Sequence, residues 1–220
     1  MNLRLILLFV AFCYAFNTQA QELWLGGEAG VKLTNRWEVE AEQNLRTREN
    51  VTEWRKSLSE LGASYEVFQF LELKAKFRHS VLHRKVNEQR VSGDIKLKTD
   101  VLKSDWKLSY RFRYQYEWKV DHSNDLAGIR NELELKFGYE KELQPYFSFE
   151  TFHFLEDADD MKYRLTVGAK MEWIDNFTVN LAYRYQRNIP QFTEFGDEPD
   201  QTGIVSIGVG YKFDARKKKK

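Results

Sequence analysis

From Trp106 to Trp118 the chain alternates without a break. Trp106, Leu108, Tyr110, Phe112, Tyr114, Tyr116 and Trp118 share one parity, and Lys107, Ser109, Arg111, Arg113, Gln115 and Glu117 share the other. Successive side chains of a β-strand point to opposite faces, so this run predicts a strand with one aromatic face and one charged face. It is longer than the roughly 5 or 6 residues usual in soluble sheets, and it suits a tilted membrane strand of about 9–11 residues with aromatic ends.

The same period recurs along the chain. Trp37, Val39, Ala41 and Leu45 oppose Glu38, Glu40, Glu42, Asn44 and Arg46; Leu71, Leu73, Ala75 and Phe77 oppose Glu72, Lys74, Lys76 and Arg78; Val91, Ile95 and Leu97 oppose Arg90, Asp94 and Lys96. Further runs centre on Ile129–Tyr139, Tyr163–Trp173, Phe177–Tyr185 and Val205–Phe213, and weaker ones lie at 23–33, 56–66 and 146–154. About eleven strands result, and no segment has competing helical periodicity. Short connections near 34–35, 67–68, 98–105, 140–145 and 174–176 alternate with longer or more acidic ones near 47–54, 81–87, 120–127, 155–162 and 187–201. That asymmetry is characteristic of outer-membrane barrels, with the long set facing the cell exterior. The predicted fold is all-β, an antiparallel transmembrane β-barrel of about 10–12 strands. An odd count would set the first and last strands parallel, whereas bacterial single-chain barrels normally have an even number. Either residues 23–33 stand outside the wall, leaving ten strands, or a twelfth is present.

Composition and the N-terminus place this barrel. Met1–Arg4 is a short basic region, Leu5–Phe16 an apolar run, and Thr18-Gln19-Ala20 a stretch ending in a small residue before Gln21. The three parts in that order read as a secretory signal over 1–20, followed by a barrel over 21–213 and a basic tail over 214–220. The single cysteine, Cys13, lies in the signal, so disulfides do not stabilise the mature chain. Without Arg4 the mature chain carries 33 basic and 33 acidic residues, a balance that gives no electrostatic case for nucleic acid. Mean hydropathy is −0.62 although 15% of residues are aromatic. Membrane helices are thereby excluded, and alternation explains the pairing of the two figures, because an average over opposite faces hides an apolar band.

Trp24-Leu25, Glu42-Gln43-Asn44-Leu45-Arg46, Glu88-Gln89-Arg90, Arg111-Phe112-Arg113-Tyr114 and Ile129-Arg130-Asn131-Glu132-Leu133 resemble the Arg-bearing strands of a bacterial outer-membrane family catalogued as domain of unknown function 2490. The resemblance spans essentially the whole mature chain and implies an outer-membrane β-barrel, with no activity attached. Similarity to outer-membrane proteins in general implies that the last strand, with Tyr211 and Phe213, is read by the barrel-insertion machinery, although Asp214–Lys220 follow the aromatic.

The polar parity carries the candidate chemistry. Arg46, Arg90, Arg111, Arg113 and Arg130 predict a lumen lining that either meets an anionic small solute or pairs with Glu38, Glu40, Glu132, Glu134 and Glu150. Pairing is the favoured reading, since a barrel only slightly wider than eight strands has limited free space. The protein is read as a structural barrel or narrow small-solute channel in the outer membrane, with the lipid bilayer as partner, no cofactor, no metal and no enzyme activity. A membrane-embedded lipid hydrolase or acyltransferase is one alternative, prompted by His79, His83, His122, His153 and Ser80. His79 and Ser80 are adjacent and so point to opposite faces, and no motif supplies a triad. A soluble lipocalin-like periplasmic carrier is the other, and it requires the apolar parity inside. The acidic stretches 156–160 and 194–200 lack a calcium-loop spacing and read as solvated loops.

Overall fold

The computed structural model describes residues 20–48, 51–83, 85–101, 105–121, 125–138, 142–155, 161–174, 176–189 and 201–216. The signal assigned to 1–20 lies outside these residues except for Ala20, as do His122, both acidic stretches and tail residues 217–220. Eleven strands follow one another: β1 (Ala20–Lys32), β2 (Trp37–Arg48), β3 (Glu53–Phe68), β4 (Leu71–Leu82), β5 (Glu88–Asp100), β6 (Trp106–Lys119), β7 (Asp125–Phe137), β8 (Leu143–Phe154), β9 (Met161–Ile174), β10 (Phe177–Ile189) and β11 (Gln201–Asp214). Each pairs with the next in chain order, and the sheet closes on itself.

The closure corrects both strand counts inferred from parity. Residues 23–33 do belong to the wall, and among the described residues there is no twelfth strand. Instead β1 pairs with β11 in parallel, in register from Glu22 opposite Ile204 to Lys32 opposite Asp214, while every other pair is antiparallel. What a barrel in lipid must satisfy is its backbone N–H and C=O groups, and closure does this whatever the direction of the last pair. A side-chain link reinforces the seam: Lys212 Nζ on β11 reaches across β1 to Glu38 on β2 at 2.6 Å.

Connection lengths are less asymmetric than the sequence suggests. At one end the links are 33–36, 69–70, 101–105, 138–142 and 175–176, and at the other 49–52, 83–87, 120–124, 155–160 and 190–200. Only the last is clearly long. The tight link after β9 uses Asn176 at φ 70°, a left-handed conformation that Asn tolerates better than most residues.

The two parities separate cleanly across the wall. Leu45, Leu61, Leu73, Ile95, Leu133 and Val167 face outward and are exposed, with Leu61 at 61%. Outward aromatics gather near both rims: Trp37 on Tyr65 at 4.9 Å and Trp106 on Phe137 at 4.9 Å at one end, Tyr116 beside Trp118 at 5.8 Å and Tyr163 beside Tyr185 at 6.4 Å at the other. An apolar band between two aromatic girdles is the exterior of an outer-membrane-type barrel. It is the reverse of what a soluble carrier needs, and the lipocalin-like alternative is set aside on that ground. The buried core is accordingly polar: Glu40, Glu60, Asp94, Arg113, Ser148 and Glu150 are all below a tenth exposed, whereas Leu58 and Ile204 are the largest fully buried apolar side chains.

Candidate functional site

Antiparallel register decides which interior charges meet. Glu132 on β7, Glu150 on β8 and Arg164 on β9 stand in one row across three strands. Glu150 becomes a hub, with Arg130 Nη2 at 2.5 Å, Arg164 Nη1 at 3.0 Å and Arg111 Nη2 at 3.5 Å, while Arg111 also pairs with Glu132. One carboxylate with two oxygens has about four acceptor positions, so it serves several guanidinium groups at once.

A second knot lies on β2–β4. Glu40 accepts from Lys74 at 2.5 Å and lies 2.9 Å from Lys76, and Glu60 pairs with Lys76 and with Arg78 at 2.6 Å. The carboxylates of Glu40, Glu42 and Glu60 come within 4.8 Å of one another, close enough to hold a cation. The Lys76 ammonium already fills that role, since all three are within ion-pairing distance of it. Gly62 makes room for this knot, because a Cβ there would meet Glu40 and Lys76 side-chain atoms at 3.1–3.2 Å.

Between the two knots Arg113 and Asp94 form a bidentate pair, Nε to Oδ1 and Nη2 to Oδ2 both at 2.6 Å, deep in the interior. Arg90 donates from Nη1 to Gln115 Oε1 at 3.3 Å and lies 3.7 Å from Glu117. Glu134 is 3.7 Å from Lys136, and Glu38 holds the seam through Lys212. Of the interior arginines singled out in the sequence, Arg90, Arg111, Arg113 and Arg130 therefore meet carboxylates. Arg46 does not: it stacks on Trp24, its guanidinium carbon 3.6 Å from the ring centre.

Trp24 opens a different interior environment. It sits on the polar parity of β1, and its Nε1 donates to Glu22 Oε2 at 2.7 Å, while Glu22 also takes Arg55 at 2.6 Å. Arg164 lies 5.2 Å from the Trp24 ring and 4.9 Å from the Phe152 ring, and Arg130 lies 4.3 Å from Phe152. Arg46, Trp24, Arg164, Phe152 and Arg130 thus form a stack of guanidinium and aromatic planes that crosses the interior from β2 to β7. Cation–π contacts of this kind contribute about 0.5–2 kcal/mol each, more where water is excluded.

Sequence reasoning did not single out Trp24, Phe152 or Lys56 as interior residues, while Arg184 stood on the polar parity of the Phe177–Tyr185 run without being picked out as a site residue. Trp24 and Phe152 carried a signal, since each is an aromatic on the parity that also holds a buried glutamate of its strand, Glu22 and Glu150. Among the described residues His79 and Ser80 do not face one another. Ser80 is buried on the inner face while the adjacent His79 faces outward opposite Ser59 and Gln89, and His83 packs edge-on to Trp54 at 5.4 Å. Among the described residues His79, His83 and His153 make no hydrogen bond to a hydroxyl side chain.

A solved structure of similar shape is a loop-deletion mutant of OmpT, an outer membrane protein of Vibrio cholerae. It is 11% identical over 81% of this chain, which spans 59% of that structure, with a TM-score of 0.45. No curated protein matches the sequence. The profile of the proteins of unknown function designated DUF2490 matches residues 21–194, and with most of its barrel wall inside that match the chain belongs to this family.

Proposed function

We propose that the protein is an integral barrel of the outer membrane whose lumen is filled by side chains, serving as a structural barrel or a narrow pathway for small solutes rather than as an enzyme. The observation that carries this reading is the transverse stack from Arg46 through Trp24, Arg164 and Phe152 to Arg130, set beside the Glu150 and Glu40–Glu60 knots. Together they occupy the space that a wide porin leaves to water. The outer apolar band and the two girdles support a bilayer as the immediate partner, and the secretory pattern of residues 1–20 supports export. Assembly by the barrel-insertion machinery follows from that location, with Tyr211 and Phe213 on the last strand as the aromatic positions it would read. The end bearing 190–200 is assigned to the cell exterior.

Cell fractionation and planar-bilayer recording test the reading together. The chain should sediment with outer membranes, need detergent for extraction, and show no wide, steady openings. Recovery as a detergent-free periplasmic species, or porin-sized conductance from the intact protein, would overturn it.

A further inference from the structure

Positive charge in the interior is not matched everywhere. Three guanidinium carbons, those of Arg46, Arg184 and Arg164, lie within 5.2 Å of a single point, the centre of the Trp24 ring. Lys56 stands directly opposite Arg46 in the β2–β3 register, a cross-strand pair of like charges that by itself opposes pairing. Glu22 is already engaged by Arg55 and by the Trp24 indole N–H; Glu88 and Glu117 are the acidic groups facing Lys56, beyond ion-pairing distance of it, and Glu117 lies 3.7 Å from Arg90. Among the described residues no carboxylate lies within ion-pairing distance of Arg46, Lys56 or Arg184. The Nε of Arg46 is buried without a hydrogen-bond partner. Burying an unpaired cationic donor costs free energy, and where Arg111, Arg113, Arg130 and Arg164 meet carboxylates, Arg46 and Arg184 share an aromatic ring with Lys56 across the strand from Arg46.

The geometry points to a binding site for a soluble oxyanion, a phosphate or carboxylate group, held in the lumen by Arg46, Arg184 and Lys56 over Trp24. Guanidinium groups present paired N–H donors whose spacing matches two oxygens of such an anion, and Lys56 adds a point charge. The ring fixes the guanidinium planes by stacking, so little side-chain freedom is lost when the anion arrives. Arg46 and Lys56 lie close to the ends of β2 and β3 that join through 49–52, and Trp24, Arg46, Lys56 and Arg184 each retain partial exposure. A bound anion would also supply the missing counter-charge between Arg46 and Lys56. This inference rests on the interior reading given above, and it adds a ligand class and its residues.

The test uses the purified full-length barrel in zwitterionic detergent at low ionic strength. Inorganic phosphate, and succinate in a parallel titration, should raise the unfolding midpoint and bind saturably, whereas chloride at equal ionic strength should do neither. Arg46→Gln with Arg184→Gln should weaken phosphate binding at least tenfold while the barrel keeps its folded electrophoretic mobility. Arg36→Gln, an exposed cation at the opposite rim, should bind as the parent does. Trp24→Phe should keep binding but lose any phosphate-dependent change in tryptophan emission. Absence of saturable binding, equal effects of chloride, or undiminished binding in the double variant would each overturn the site. Protection by anionic-lipid micelles but not by inorganic phosphate would overturn its assignment to a soluble solute. A barrel that folds in detergent yet binds no anion refutes this site alone, while a chain that needs no detergent refutes the membrane reading beneath it.

Discussion

Two parts of the same interior treat charge in opposite ways. Around Glu150, and again around Glu40 and Glu60, each cation touches a carboxylate one or two strands away, and the pairs run across β2–β4 and β6–β9. Around Trp24, Arg46 and Arg184 touch an aromatic ring and no carboxylate. The first arrangement specifies register, because a one-residue slip would turn every acid and base of a strand into the lipid. The second specifies little about register, and its surplus charge is of use only to something that brings negative charge. Structure and binding are thus divided between two neighbourhoods of one lumen.

Substitutions that break this division should differ in size. The largest effect is expected at Glu150→Gln, which strips the shared counter-charge from Arg130 and Arg164 and should cost about 3–5 kcal/mol in urea unfolding of the detergent-solubilised barrel. Adding Arg164→Gln should recover part of that loss, and no recovery would mean that the hub is not electrostatic. Leu61→Arg near the middle of β3 places the same charged group on the outer face, where neither carboxylate nor water awaits it, and should cost about 2–4 kcal/mol by the same measurement in vesicles. Asp94→Asn keeps a hydrogen-bond acceptor for Arg113 but removes the charge assistance, so a smaller loss of about 1.5–3 kcal/mol is expected. The smallest belongs to Arg46→Gln. It forfeits a cation–π contact and relieves the repulsion with Lys56, and anion-free stability should stay within about 1 kcal/mol of the parent. A loss at Arg46 as large as that at Glu150 would erase the contrast between the two neighbourhoods.

Much of the wall is legible in the sequence, because period-two alternation is a local property. Tyr110, Arg111, Phe112 and Arg113 separate onto two faces as their spacing requires, and even the weaker run at 23–33 is a full strand. What alternation cannot express is how the ends of the sheet meet. The parallel closure of β1 on β11 depends on residues almost the whole chain apart, and the preference for even strand numbers pointed away from it. Ion-pair partners were legible only as a set: the sequence places Glu150 on the polar parity, but the register of β7, β8 and β9 makes it a hub. The Trp24 site was the least legible. An aromatic among charges looks like an irregularity in a strand of Gly26, Gly27 and Glu28, and its meaning appears only when Arg46, Arg164 and Arg184 arrive from three other strands.

The central claim is that the aromatic parity meets lipid and the charged parity fills the lumen. Single cysteines at Tyr110, Arg111, Phe112 and Arg113 test it most directly, since the only native cysteine is Cys13. In reconstituted vesicles, a nitroxide spin label attached at 110 and 112 should relax readily with dissolved oxygen, which partitions into lipid. Labels at 111 and 113 should be shielded from it and crowded by neighbours. The inverse pattern, with 111 and 113 facing solvent and 110 and 112 packed within the barrel, would contradict the account.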